Sequence, residues 1–135
     1  MADPMGVLGI ARKGGNLETG EENSKAMVKS GRARLLIVAS DASPGAQKRA
    51  EGYVFGCSTP LLHVPYTKEE LSAASGRPGC SMAVFLDRGL AHAFAGALLE
   101  THGEAYRETA EALEKHRQRR TGKRAGKTGD RRKDV

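Results

Sequence analysis

Apolar positions along the chain fall into short blocks whose spacing switches between helix and strand. Val7, Leu8 and Ile10 lie in an apolar, small-residue stretch from Met5 to Ala11, which predicts a short first helix ended by Arg12-Lys13-Gly14-Gly15. Leu17-Glu18 predicts a very short strand. Thr19 and Glu22 stand at capping-box spacing, where each side chain satisfies a free backbone N–H of a helix start. That helix is expected to run to about Ser30, with Ala26, Met27 and Ser30 facing inward and Gly31 as its stop. Leu35 to Ala39 is a continuous apolar run and predicts a strand covered on both faces. Ser43 before Pro44 pairs an N-cap hydroxyl with proline at the first helical position, opening a helix to about Phe55. Leu61 to Val64 predicts the next strand, and Thr67 with Glu70 a second capping box for a helix ending at Ser75. After a loop at Gly76-Arg77-Pro78-Gly79, Met82 to Leu86 predicts another strand. Asp87 then caps a helix whose Leu90, Phe94, Ala97 and Leu98 share one face.

Strands alternating with helices from Leu35 onward argue for βαβ units in an α/β fold, a three-layer α/β/α sandwich with a small mixed sheet of about four strands. This domain is expected to span residues 1–103. Residues 104–120 have helical spacing at Tyr106, Ala110 and Leu113, with a favourably ordered Glu111 and Lys115 pair, and predict an appended helix. Residues 121–135, rich in Gly, Lys and Arg, predict a disordered basic tail.

Composition changes the picture through charge. The formal net charge is +6, but residues 115–135 alone carry ten Lys or Arg against Asp130 and Asp134, a net +8 that leaves the preceding part at −2. A basic tail attracts polyanions through counterion release without reading sequence. Aromatic residues make up only 4%, too few for a broad base-stacking platform. Cys57 and Cys80 lack metal-ligand spacing, which suits a reduced compartment. No signal-peptide pattern is present, and no apolar run approaches the roughly 20 residues that span a bilayer, so a cytoplasmic protein without membrane contact is expected.

Enzyme-like signals are weak. Gly122-Lys123-Arg124-Ala125-Gly126-Lys127-Thr128 resembles a phosphate-binding loop, yet Thr121 occupies the position of the required first glycine and no strand precedes it. Cys57, His63, Cys80 and His92 make no zinc set, and Cys80 has no evident base or orienting partner as a nucleophile. Asp41 and Asp87 follow strands, where catalytic acids often sit, but helix capping accounts for both. No catalytic residue, metal or cofactor is therefore expected.

The order of elements and several short stretches together resemble the ribosomal L-seven-Ae family of kink-turn RNA-binding proteins, in particular its bacterial ribosomal-protein-like members. The matching text is Leu8-Gly9-Ile10-Ala11-Arg12-Lys13-Gly14-Gly15, Thr19-Gly20-Glu21-Glu22, Ser30-Gly31-Arg32-Ala33-Arg34-Leu35 and Ala39-Ser40-Asp41-Ala42-Ser43. Val64-Pro65-Tyr66-Thr67-Lys68-Glu69-Glu70-Leu71 and Ala83-Val84-Phe85-Leu86-Asp87-Arg88-Gly89 continue it. The resemblance covers about Leu8 to Leu98 and excludes the tail.

In that family the start of the second helix enters a kinked duplex and reads its paired G·A bases, and the loop before the last strand covers an extruded nucleotide. Carried over by position, the helix start is Gly20, Glu22, Asn23 and Ala26. Archaeal members have Asn, Glu and Lys where this chain has Glu22, Asn23 and Ala26; the lysine is displaced to Lys25, about 100° around the helix. Bacterial members are similar in carrying Gly-Glu-Glu here. Glu22 is either a cap or a direct contact. Lys13, Lys25, Lys29, Arg32 and Arg34 form either a phosphate-binding cluster or an ordinary solvated face. The loop with Arg77, Pro78, Gly79 and Cys80 is either a backbone-contacting loop or a plain connection.

The resemblance thus implies a monomeric, non-catalytic binder of structured RNA, a kink-turn or ribosomal RNA, associated with ribosomes or other ribonucleoproteins and with ribosomal proteins as further partners. The competing expectation is a protein-interaction scaffold on the same fold, with RNA affinity confined to the tail. A small-molecule enzyme on a similar layered fold is the third.

Overall fold

The computed structural model describes residues 3–103. The expected appended helix, the basic tail and the glycine-rich stretch at 122–128 lie outside the described residues. Among the described residues nine elements follow one another: α1 (Pro4–Lys13), β1 (Leu17–Thr19), α2 (Glu21–Lys29), β2 (Leu35–Val38), α3 (Pro44–Val54), β3 (Leu61–His63), α4 (Lys68–Ser75), β4 (Met82–Phe85) and α5 (Arg88–His102).

Local chemistry sets most helix starts. Asp3 caps α1 by accepting from the Gly6 N–H, with Pro4 at the first position. Ser43 and Pro44 do the same for α3, the Ser43 hydroxyl accepting from Ala46 N–H at 3.1 Å. Thr67 and Glu70 form the reciprocal capping box of α4, and Asp87 accepts from Leu90 N–H to open α5. Asp41 also caps a helix, though not the one that follows it: its Oδ1 accepts from the Lys68 N–H of α4 at 2.8 Å.

The start of α2 departs from expectation. Thr19 belongs to β1, paired with Ala83 of β4, and Gly20 takes the N-cap position without any side-chain cap. Thr19 is committed to the ladder, so the box it was expected to form with Glu22 is absent. Instead the Asn23 amide donates back to the Thr19 carbonyl at 3.0 Å. The inward face shifts accordingly: Ser24 and Val28 are buried and Met27 half-buried, whereas Ala26 and Ser30 are exposed.

The four strands form one mixed sheet in the order β1-β4-β2-β3. β4 is antiparallel to both β1 and β2, and β2 is parallel to β3. Every residue of β2 and β4 is buried, as central strands covered on both faces require. α2 and α3 pack together over the sheet, and α1 packs with α4 and α5 in the other helical layer. The core centres on Phe85, whose ring meets that of Phe94 at 5.0 Å between centroids, with Leu35, Ile37, Leu8 and Leu98 fully buried around it.

Candidate nucleic-acid interface

Strand direction decides which loops meet. β4 runs against β1 and β2, so the segments leaving β1, β2 and β3 gather at the same sheet end as the segment entering β4. Main-chain hydrogen bonds lock these connections together. Gly20 N–H donates to the Met82 carbonyl and Ala39 N–H to Ser81, both at 2.9 Å, while Ser40 N–H donates to Tyr66 at 2.8 Å. Cys80 N–H donates to the Ser72 hydroxyl at 2.9 Å, tying the 76–81 loop to α4.

Between these connections opens a cleft of about 580 Å³. Its walls come from the first turns of α2 (Glu21), α3 (Ser43) and α4 (Lys68), from Arg49 further along α3, and from Pro78 and Gly79. The charged groups in the walls are mixed: Arg49 and Lys68 against Glu21 and Glu69. Three helix N-termini border this cleft, and two of them are capped: Ser43 takes the Ala46 N–H of α3, and Asp41 and Thr67 take the Lys68 and Glu70 N–H groups of α4.

One polar network braces the α2 side. The Glu21 carboxylate accepts from Arg49 Nε, from Arg49 Nη2 at 3.1 Å and from the Tyr53 hydroxyl. The Arg49 hydrogen bond, followed by that of Tyr53, holds the Glu21 carboxyl below the ordinary glutamate range against the opposing effect of burial. Burial, followed by the hydrogen bond to Glu21, pushes the Tyr53 phenol up. The Lys25 ammonium sits 5.9 Å above the Tyr53 ring centroid, so this expected contact residue is oriented toward α3.

The residues singled out from sequence divide. Gly20, Glu22, Asn23 and Lys25 lie in the first turns of α2, and Arg77, Pro78 and Gly79 are exposed in the neighbouring loop. Glu22 is exposed, with no hydrogen bond or ion pair among the described residues. Cys80 is buried, its N–H spent on Ser72 and its thiol pushed up by burial. Lys13, Lys29 and Arg32 belong to the other end of the sheet. Lys29 is eight residues beyond Glu21, about 12 Å along the helix. Arg32 precedes Arg34, whose N–H reaches the last residue of β4, and Lys13 precedes Asn16, whose carbonyl accepts from Leu86 just past it. The basic cluster suggested by sequence proximity is therefore not one patch.

Glu21, Ser43, Arg49, Lys68 and Tyr53 join the site in the structure without being among the residues the sequence points to as contacts. The caps at Ser43 and Thr67 could have flagged two of these helix starts. Arg49 and Tyr53 carry no local signal, because their placement depends on α3 packing against α2. Among the described residues, no group of three His, Cys, Asp or Glu side chains could hold a metal ion. No helix among them is long and apolar enough to cross a membrane.

No family model matches the chain. It is 28% identical over 74 residues to RNA-binding protein YlxQ of Enterococcus faecium, covering 55% of this chain and 71% of that protein. A solved structure of a protein of unknown function from Bacillus halodurans superimposes with a TM-score of 0.67 at 26% identity, covering 73% of this chain and 98% of the other. The Giardia lamblia 15.5kD RNA binding protein superimposes with a TM-score of 0.61 at 18% identity, covering 81% of this chain and 85% of its own. The chain has the α/β fold of that Giardia protein, with five helices and a four-stranded mixed sheet among its described residues.

Proposed function

We propose that this protein binds structured RNA through the end of the sheet where α2 begins, with a preference for kinked duplexes of the kink-turn type. The observation that carries the reading is the cleft bounded by three helix N-termini and the 76–81 loop, pinned by main-chain hydrogen bonds. A rim whose connections are tied together by main-chain hydrogen bonds suits recognition of RNA by shape and phosphate position, with few base-edge contacts. Gly20, Asn23 and Lys25 on one side and Arg77, Pro78 and Gly79 on the other are the contact residues of this reading; Asn23 can present its amide to a base edge. The names borne by the Enterococcus and Giardia proteins support an RNA partner. Association with ribosomes or other ribonucleoproteins, without catalysis, is part of the same proposal.

Calorimetry against a kink-turn duplex and an unkinked duplex of the same length tests it. Tighter binding to the kinked form at moderate salt is expected; equal binding refutes the reading. The +8 charge of residues 115–135 favours one rival, a scaffold whose RNA affinity is only tail-driven. Deleting those residues discriminates, because kink preference survives only under the first reading. Lys25→Ala should weaken binding evenly across RNA sequences and lower the salt slope by about one.

A further inference from the structure

Arg49 is a charged group of the cleft wall that sequence proximity to the α2 start does not reveal, and it is ion-paired across to α2. Its guanidinium lies beside the first turn of α3, where Gly45 leaves room for it: a Cβ on Gly45 would stand 3.2 Å from Nη1. It is held there by Glu21, and its side chain remains 54% exposed although the pair is formed. An ion pair with a partner this exposed contributes little to stability, so giving it up costs the fold little.

We infer that Arg49 is a phosphate-contacting residue of this interface, and that Glu21 is a stand-in anion which RNA displaces. The inference rests on the RNA-binding reading above. Arginine's planar fork engages phosphate through two parallel hydrogen bonds, as it engages carboxylate, so the geometry that now accepts Glu21 also accepts a phosphate. The exchange does not strand Glu21. Its carboxylate keeps the Tyr53 hydroxyl, and the Lys25 charge, which already stabilises it, remains nearby above the Tyr53 ring. In the free protein the pair masks a carboxylate that would otherwise repel an approaching backbone at the α2 N-terminus. In the complex the same arginine holds that backbone against α3.

A double-mutant cycle on the full chain tests this, read by titration of the kink-turn duplex at several salt concentrations. Arg49→Ala is expected to weaken binding roughly tenfold and lower the salt slope by about one. Glu21→Gln is expected to tighten binding a few-fold, because the competing anion is gone. In the Glu21→Gln background, Arg49→Ala should weaken binding at least as much as in the native chain. A neutral effect there would show that Arg49 serves only to restrain Glu21, and would overturn the inference; so would an unchanged salt slope. Loss of kink preference in the native chain would instead refute the RNA reading itself, so the two failures are told apart.

Discussion

Gly20 adopts φ 95° and ψ 155°, a conformation open in practice only to glycine. It cannot relax, because its N–H is bonded to Met82 and its carbonyl to Ser24 N–H at 3.0 Å. A Cβ built on Gly20 meets nothing within 4 Å, so the cost of Gly20→Ala is backbone strain alone. Strain of this kind costs about 1–3 kcal/mol, and for a domain near 100 residues each kcal/mol shifts Tm by about 4–8 °C. A central value of about 2 kcal/mol therefore predicts a Tm lowered by roughly 8–16 °C. Gly9→Ala is the control. Gly9 lies inside α1, an added Cβ again meets nothing within 4 Å, and alanine is favoured over glycine in a helix by about 0.8–1.0 kcal/mol. The same added methyl should thus raise Tm at position 9 and lower it at position 20. Thermal and urea unfolding of the two variants provide the comparison. A loss below about 0.5 kcal/mol for Gly20→Ala would refute the argument that the α2 start is held in a glycine-only conformation.

Phe94→Ala, which removes a fully buried ring from its contact with Phe85, should cost about 3–5 kcal/mol by urea unfolding. Asp41→Ala should cost about 1 kcal/mol, since it frees the Lys68 N–H at the start of α4; an unchanged midpoint would show that water replaces the carboxylate without loss. The Glu21 carboxyl titrates below its ordinary value in the folded chain, so its contribution to stability is complete above about pH 4.3 and fades as pH falls through its depressed folded value. Glu21→Gln should flatten the acid limb of the stability profile only slightly in that window, because the pair is exposed, and an NMR titration that finds Glu21 at its ordinary value would disprove the pairing. A thiol reagent should modify exposed Cys57 promptly and buried Cys80 only on unfolding; two fast equivalents would contradict the packing at β4.

Sequence reading recovered the elements whose signals are local. Ser43-Pro44, Thr67 with Glu70, and Asp87 each announce a helix through groups three residues apart, and each forms the expected cap. Thr19 with Glu22 has the same spacing and fails, because strand pairing with Ala83 claims Thr19 from 64 residues away in sequence. The α2 register, and with it the burial of Ser24 in place of Ala26, follows from that distant contact. The proposed interface divides along the same line. The α2 start and the 76–81 loop were legible as segments, but nothing local brings Arg49 to Glu21 or sends Lys29 and Arg32 to the opposite end. Charge proximity along a chain describes a surface patch only where the backbone does not turn away.

The sheet order has a consequence for how the molecule is made. β4 lies between β1 and β2 and, among the described residues, is the only strand that pairs with β1. Until residues 82–85 emerge, β1 has no ladder, the Gly20 N–H has no Met82 carbonyl, and the loop that closes the cleft has nothing to lie on. β2, α3 and β3 can associate earlier through short-range contacts, whereas joining Leu17 to Phe85 closes a long chain segment at considerable entropic cost. During synthesis, the surface proposed to hold RNA thus cannot take shape before residues 82–85 emerge, and the strongly basic residues 115–135 follow only after it.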